Sequence, residues 1–245
     1  MKATAIIALS ITIVLAFSLT LFAQETAETE VKTEVKVKEK EVKNPMVLIQ
    51  TNHGNIMLEL FQKEAPISVD NFLSYVREGF YDGTIFHRVV RGFVLQAGGM
   101  NDEMKQKQQK PGIKNEATNG LKNLRGTLSM ARTSDINSGS SHFFVNLKDN
   151  NFLDHTGMNP QQYGYAVFGK VADEASMKVV DKIAEVNVKN VGQFQNVPEE
   201  AVVIEKAVVV GEEKAAEEKP EKAEKAEKAE KELKKEQKKM EEKGE

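Results

Sequence analysis

The sequence predicts a mostly β protein: an antiparallel barrel closed on itself, two α-helices over its ends, and charged flexible tails on either side. Three observations predict it. Between about Asn44 and Glu212 the apolar residues fall in short runs bounded by turn residues, as strands do. Only two segments carry helical periodicity with start and stop signals. Both ends of the 245-residue chain differ sharply in composition from this middle, so the foldable part amounts to one domain.

The elements follow in order. Val47-Leu48-Ile49-Gln50-Thr51 and Ile56-Met57-Leu58-Glu59-Leu60 flank the turn cluster Asn52-His53-Gly54-Asn55 and read as a hairpin, with His53 a turn residue. The stretch from Pro66 to Gly79 opens with proline and ends with glycine, and Val69, Phe72, Leu73 and Val76 recur at i, i+3, i+4 and i+7, the pattern of an amphipathic helix. Next, Phe86 to Gly99, FHRVVRGFVLQAGG, reads as two buried strands broken at Arg91-Gly92. Short strand-like runs cover Gly126 to Ala131, His142 to Leu147, Gly164 to Val171 and Ala201 to Val210. A second helix is expected from Asp173 to about Val186, where Met177, Val180, Ile183 and Ala184 share a face. Many strands with two helices suggest a barrel whose ends the helices cover.

The ends are of a different kind. Residues 1–23 pair an early Lys2 with an apolar run to about Phe22 and a small residue, Ala23, as a cleavable signal peptide does. The run is also long enough to stay as an uncleaved membrane anchor. Either outcome exports the domain, to the periplasm or the medium in the first case and to the outer face of the inner membrane in the second. Residues 24–44 alternate lone valines with charges and read as a disordered linker. The domain is then 45–212. Residues 213–245 are almost wholly Ala, Glu and Lys, with Glu221 and Lys225, Glu224 and Lys228, and Glu227 and Lys231 spaced for helical i,i+4 pairs, so a solvated tail follows.

Several function classes drop out. A net charge of -3 gives no overall basic bias towards nucleic acid, and zero cysteines exclude disulfides, thiolate chemistry and Cys-ligated zinc. No phosphate-binding loop, dinucleotide fingerprint, zinc-protease or nucleophile-elbow motif occurs, and the histidines at 53, 87, 142 and 155 lack metal spacing, so no cofactor is expected. Ser141 beside His142 does not make a nucleophile pair, because neighbouring strand side chains point to opposite faces. What remains unexplained is FHRVVRGFVLQAGG, which sets Arg88 and Arg91 among valines and phenylalanines. A buried charge is costly unless paired.

FHRVVRGFVLQAGG, GTLSMAR, SGSSHFFVNL, NFLDH and YAVFGKV resemble, in order and spacing, the motifs of the cyclophilin-type peptidyl-prolyl cis-trans isomerases, over about Pro45 to Val210. The details look most like the family's exported bacterial branch. The resemblance implies an eight-stranded antiparallel barrel capped by two helices and proline-containing polypeptides as substrate; the chain is expected to act as a monomer. It also implies rotation about the peptide bond before proline, whose barrier is about 18–20 kcal/mol. Uncatalysed exchange takes tens to hundreds of seconds, so millisecond turnover requires roughly 10⁴ to 10⁵-fold acceleration, about 5.5–7 kcal/mol.

The resemblance assigns roles by position. Arg88 matches the catalytic arginine, a donor aimed at the proline nitrogen as it loses conjugation, while Arg91 reads as a turn residue at the break. Phe93, Val94, Phe144 and Leu153 would form the proline pocket. Gln96 would hydrogen-bond the substrate carbonyl or hold Arg88, and the backbone of Ala131 and Arg132 would bind the residues before proline. Three positions depart from the family pattern. His142 stands where glutamine is usual, bringing a side chain that ordinarily changes charge near pH 6.5. Phe152 replaces a tryptophan common in eukaryotic members, removing an indole donor and implying weak cyclosporin sensitivity. Tyr165 takes the approximate place of a histidine, as a pocket wall with a polar tip or an ordinary strand residue. The alternative to an enzyme is a proline-peptide binding or chaperone module with little turnover, which needs the pocket but no donor at the rotating nitrogen.

Overall fold

Residues 43–212 are those that the computed structural model describes, so the signal peptide or anchor, nearly all of the linker and the Ala/Glu/Lys tail lie outside the described residues. Eleven strands and two α-helices occur within them. In chain order they are β1 (Met46–Thr51), β2 (Gly54–Leu60), α1 (Pro66–Arg77), β3 (Thr84–Ile85), β4 (Arg88–Val90), β5 (Val94–Ala97), β6 (Thr127–Met130), β7 (Phe143–Asn146), β8 (Val167–Val171), α2 (Glu174–Ala184), β9 (Val188–Val191), β10 (Phe194–Pro198) and β11 (Val203–Val209). Every named strand expected from the sequence is present; β1 and β2 begin one and two residues earlier than expected, and the others are trimmed by one to three residues at their ends.

Nine strands form one antiparallel sheet in the order β3-β11-β1-β2-β8-β6-β7-β5-β4. Its two edges, β3 and β4, are separated in sequence only by Phe86 and His87. Three residue steps reach at most about 10 Å, so the sheet has to curl until its edges nearly meet. The expected count was eight. The difference arises because residues 84–90 break into two short strands, β3 pairing with β11 through Ile85 and Val203, and β4 with β5 through Arg88 and Gln96. Taken as one bent strand, they complete a circle of eight. Arg88 therefore stands at the seam where the barrel closes.

The helices are fixed by caps as well as by their apolar faces. At the start of α1 the backbone N–H groups of Ile67 and Ser68 donate to the Glu116 carboxylate at 3.0 and 2.7 Å, an anion at the positive end of the helix dipole. Asp173 caps α2, its carboxylate accepting the Ser176 N–H at 2.7 Å. These contacts hold Val69, Phe72, Leu73 and Val76 of α1, and Val180, Ile183 and Ala184 of α2, in the barrel core. The sequence reading missed the β9–β10 hairpin, whose exposed residues carry no alternating apolar face.

Phe72 is fully buried, with ring centroids 5.2 Å from Tyr81, 5.3 Å from Phe143 and 5.4 Å from Phe168. Phe72→Ala is expected to destabilise the domain by about 3–5 kcal/mol, through lost burial and the cavity left behind. Urea denaturation followed by circular dichroism measures it.

Candidate active site

The site grows out of the pleat of β5 and β7. These strands pair antiparallel with Gln96 opposite Phe144 and Ala97 opposite Phe143. Side chains alternate faces along a strand, so Leu95, Ala97, Phe143 and Val145 enter the barrel core while Val94, Gln96 and Phe144 point outward. An outward apolar residue should meet water. Instead Val94 is 2% exposed, Phe144 5% and Ala131 8%, and with Phe93, Leu153 and Tyr165 they form a second, smaller apolar cluster on the outside of the barrel.

That cluster surrounds a cavity of about 200 Å³ lined by Arg88, Phe93, Val94, Gln96, Ala131, Arg132, Phe144, Leu153 and Tyr165. Nine of the eleven predicted site residues thus come together. Of the other two, Phe152 lies at the rim, 69% exposed, its ring stacked on Phe93 with centroids 5.6 Å apart. His142 packs instead against His87, with ring centroids 5.1 Å apart, and does not line the cavity.

Arg88 is half-buried, its guanidinium carbon 5.7 Å from the centroid of the Phe93 ring. Its Nη1 donates to Gln96 Oε1 over a long 3.4 Å, and among the described residues it forms no ion pair. No carboxylate among the described residues neutralises the charge, and most of its donors stay free. Arg91 differs in every respect: exposed, in a turn with Gly92 at φ 64°, and ion-paired to Glu185 at 2.9 Å.

A buried polar network that the sequence reading missed ties β6 and β7 to the segments that present the cavity walls. Asn123 donates from its backbone N–H to buried Asp154 at 2.8 Å and from its side chain at 3.0 Å, and Ser129 Oγ donates to Asn123 Oδ1 at 2.8 Å. Asn146 Nδ2 reaches Thr127 Oγ1 at 2.9 Å, while Asn150 Nδ2 donates to Asn146 Oδ1 at 2.8 Å and to the Phe93 carbonyl at 3.0 Å. Buried polar groups are stable only when bonded, so such a network fixes geometry. It ties Phe93 to Asn150 and Asp154, which bracket the 3-10 turn Asn151–Leu153 that presents Leu153 and Phe152. Polar residues inside otherwise apolar strands, Ser129 and Asn146, were its only sequence signal.

Tyr165 is set by the residue before it. Gly164 has φ 79°, and a Cβ there would lie 2.6 Å from the His155 nitrogen, so only glycine fits. The Tyr165 ring then meets Phe144 edge-on at 5.6 Å, and Arg132 covers it at 4.9 Å. Arg132 contributes more than backbone: its Nε, Nη1 and Nη2 donate to the carbonyls of Gly164, Thr133 and Pro160 at 3.0, 2.9 and 2.7 Å. Ser141, by contrast, donates to the Gly98 carbonyl, where it has no part in a nucleophile pair. Among the described residues no cluster of three or more His, Cys, Asp or Glu side chains gathers to hold a metal.

A curled antiparallel barrel with two helices, carrying an apolar cavity and an unpaired guanidinium on its outer face, is the architecture of the cyclophilins. The family described as cyclophilin type peptidyl-prolyl cis-trans isomerase matches residues 46–209, and the chain belongs to it. Over 164 residues it is 54% identical to peptidyl-prolyl cis-trans isomerase A of Dickeya dadantii, covering 67% of this chain and 84% of that one. It is 52% identical to peptidyl-prolyl cis-trans isomerase B of Escherichia coli, covering 67% and 99%. A crystal structure of a cyclophilin type peptidyl-prolyl cis-trans isomerase from Cryptosporidium parvum, obtained in the presence of the dipeptide Ala-Pro, superposes with a TM-score of 0.53 at 27% identity, covering 67% and 98%. Peptidyl-prolyl cis-trans isomerase activity on proline-containing peptides follows from that membership.

The histidine pair alters the expected pH behaviour. Burial pushes the His142 imidazole below its ordinary 6.5, so its charge change moves to lower pH than the sequence suggests. His87 is pushed down to about 3 by burial, then by His142 and Arg88. Unfolded, both take up protons near 6.5 and the folded protein resists them, so stability is lost as pH falls below 6.5. Each fully differential group contributes up to about 1.4 kcal/mol per pH unit. Denaturant midpoints between pH 6.5 and 5 should therefore fall with acidity, and His87→Asn should flatten the slope by up to that amount. Isomerase kcat/KM should stay flat between pH 6.5 and 8.

Proposed function

We propose that this domain catalyses rotation of X-Pro bonds non-covalently, Arg88 stabilising the twisted proline nitrogen, and that its substrates are polypeptides folding outside the cytoplasm. The observation that carries the mechanism is a guanidinium with no ion-pair partner among the described residues, lining a cavity whose other walls are mainly apolar. In the planar ground state the proline nitrogen lends its lone pair to the amide and is a poor acceptor. At the twisted transition state the lone pair localises, and a fixed donor binds it more tightly than before. A neutralising carboxylate beside Arg88 would weaken that gain, and none forms an ion pair with it among the described residues.

Each remaining group then has a physical task. The walls of Phe93, Val94, Phe144 and Leu153 would take the proline ring, at about 25 cal/mol per Å² of apolar area buried. Gln96, accepting from Arg88, would turn the fork toward the nitrogen and offer its amide N–H to the substrate carbonyl. A pocket that only binds proline would not need a free guanidinium at its edge. Export rests on the first 23 residues, whose early lysine, apolar run and Ala23 fit a signal sequence.

NMR exchange spectroscopy on an Ala-Pro peptide tests the mechanism. Arg88→Ala should lower kcat/KM by about 10² to 10³-fold, the usual loss for one preorganised donor. Arg88→Lys should recover only part, since a point charge lacks the planar fork. Equal exchange by wild type and Arg88→Ala would refute the role given to Arg88. N-terminal sequencing of the exported protein should find Gln24 first, whereas an intact Met1 would mean a retained anchor.

A further inference from the structure

Next to the proline cavity lies a second, of about 390 Å³, lined by Arg132, Thr133, Ser134, Pro160, Gln161 and Tyr165. The two share Arg132 and Tyr165, the guanidinium stacked over the ring forming the partition between them. Arg132 is held rigidly by its three carbonyl contacts, which occupy three of the five N–H donors of a guanidinium. Two donors remain. Carbonyls neutralise no charge, and among the described residues Arg132 has no carboxylate partner. Asp135, the nearest acid in sequence, accepts the Asn137 N–H at 2.9 Å and does not line the cavity.

The backbone at this position is open as well. Arg132 lies just beyond β6, and neither its N–H nor its C=O is hydrogen-bonded among the described residues. Such groups offer an extended peptide a place to pair. In an extended chain, side chains two residues apart share a face and lie about 7 Å from each other. A proline seated in the first cavity, with the preceding residues along Arg132, would therefore aim the side chain two positions earlier at the second.

We infer that this second cavity is a subsite for an acidic side chain two residues before the substrate proline, with Arg132 as its counter-charge. The inference rests on the proposed orientation of the peptide, with residues before proline along Ala131 and Arg132. The remaining lining suits a carboxylate: the Ser134 hydroxyl and the Gln161 amide are neutral donors, while the Thr133 hydroxyl donates to Ser138 Oγ at 2.8 Å. A rigid, unpaired arginine also needs little reordering to accept one.

The test compares Glu-Ala-Pro-Ala with Gln-Ala-Pro-Ala, capped at both ends, by NMR exchange spectroscopy on the whole protein at low salt. The ratio of their kcat/KM values cancels changes common to both peptides. Wild type should favour the Glu peptide by about two- to fivefold, as expected for a solvent-accessible ion pair. The preference should shrink at high ionic strength. Arg132→Gln should bring the ratio to unity, and Gln161→Glu, which keeps the Arg132 clamp, should do so independently. A wild-type ratio of one, with the Gln peptide still turned over and still dependent on Arg88, would overturn the subsite and leave the proposed mechanism standing. Turnover of both peptides that ignores Arg88→Ala would overturn both.

Discussion

The alternation of side chains across one antiparallel pair governs this protein. In β5 and β7 each residue serves either the barrel interior or the outer face, and the adjacent phenylalanines Phe143 and Phe144 divide the work. A slip of one residue in that register would move the core set outward and the site set inward. The position of β4 adds the second constraint, because the same short segment closes the barrel and delivers Arg88 opposite Gln96. Barrel closure and site assembly are in this sense one event.

The chemistry asked of the fold is modest and exacting at once. No bond to the substrate has to form, so a few kcal/mol of differential binding, supplied by a donor and an apolar wall, is enough. Such a contribution is real only if the donor cannot relax away. The Asn123, Asn146, Asn150 and Asp154 network holds the 3-10 turn in register with Phe93, just before β5. The Arg132 clamp does the same for Tyr165. In the Arg132 clamp the bonds go to backbone carbonyls, which fix the guanidinium without neutralising it.

Much of this was legible in the sequence. The hairpin Val47 to Leu60 and the two helices announced themselves because turn residues, caps and apolar period agreed. The cavity residues were legible through ordered motifs, and nine of eleven converge. His142 resisted because its neighbour across space, His87, precedes Arg88 in an irregular link where strand alternation does not apply. The β9–β10 hairpin resisted because β9 is exposed and β10 buries only the adjacent Val197 and Pro198, so neither strand shows an alternating apolar face. The polar network resisted because a buried asparagine looks like a surface asparagine until its partners, 4 to 57 residues away in sequence, are known. The side chain of Arg132 was hidden for the same reason, since its carbonyl partners lie on a loop about thirty residues further on.

The claim on which the rest depends is that the substrate proline sits on the outer face of β5 and β7, between Arg88 and Phe144. Intermolecular nuclear Overhauser effects between an Ala-Pro peptide and the methyl-labelled protein test it directly. The proline ring should show contacts to the methyls of Val94, Ala131 and Leu153 and none to the inward-facing Leu95 and Val145. Proline contacts confined to methyls outside this cavity would contradict it.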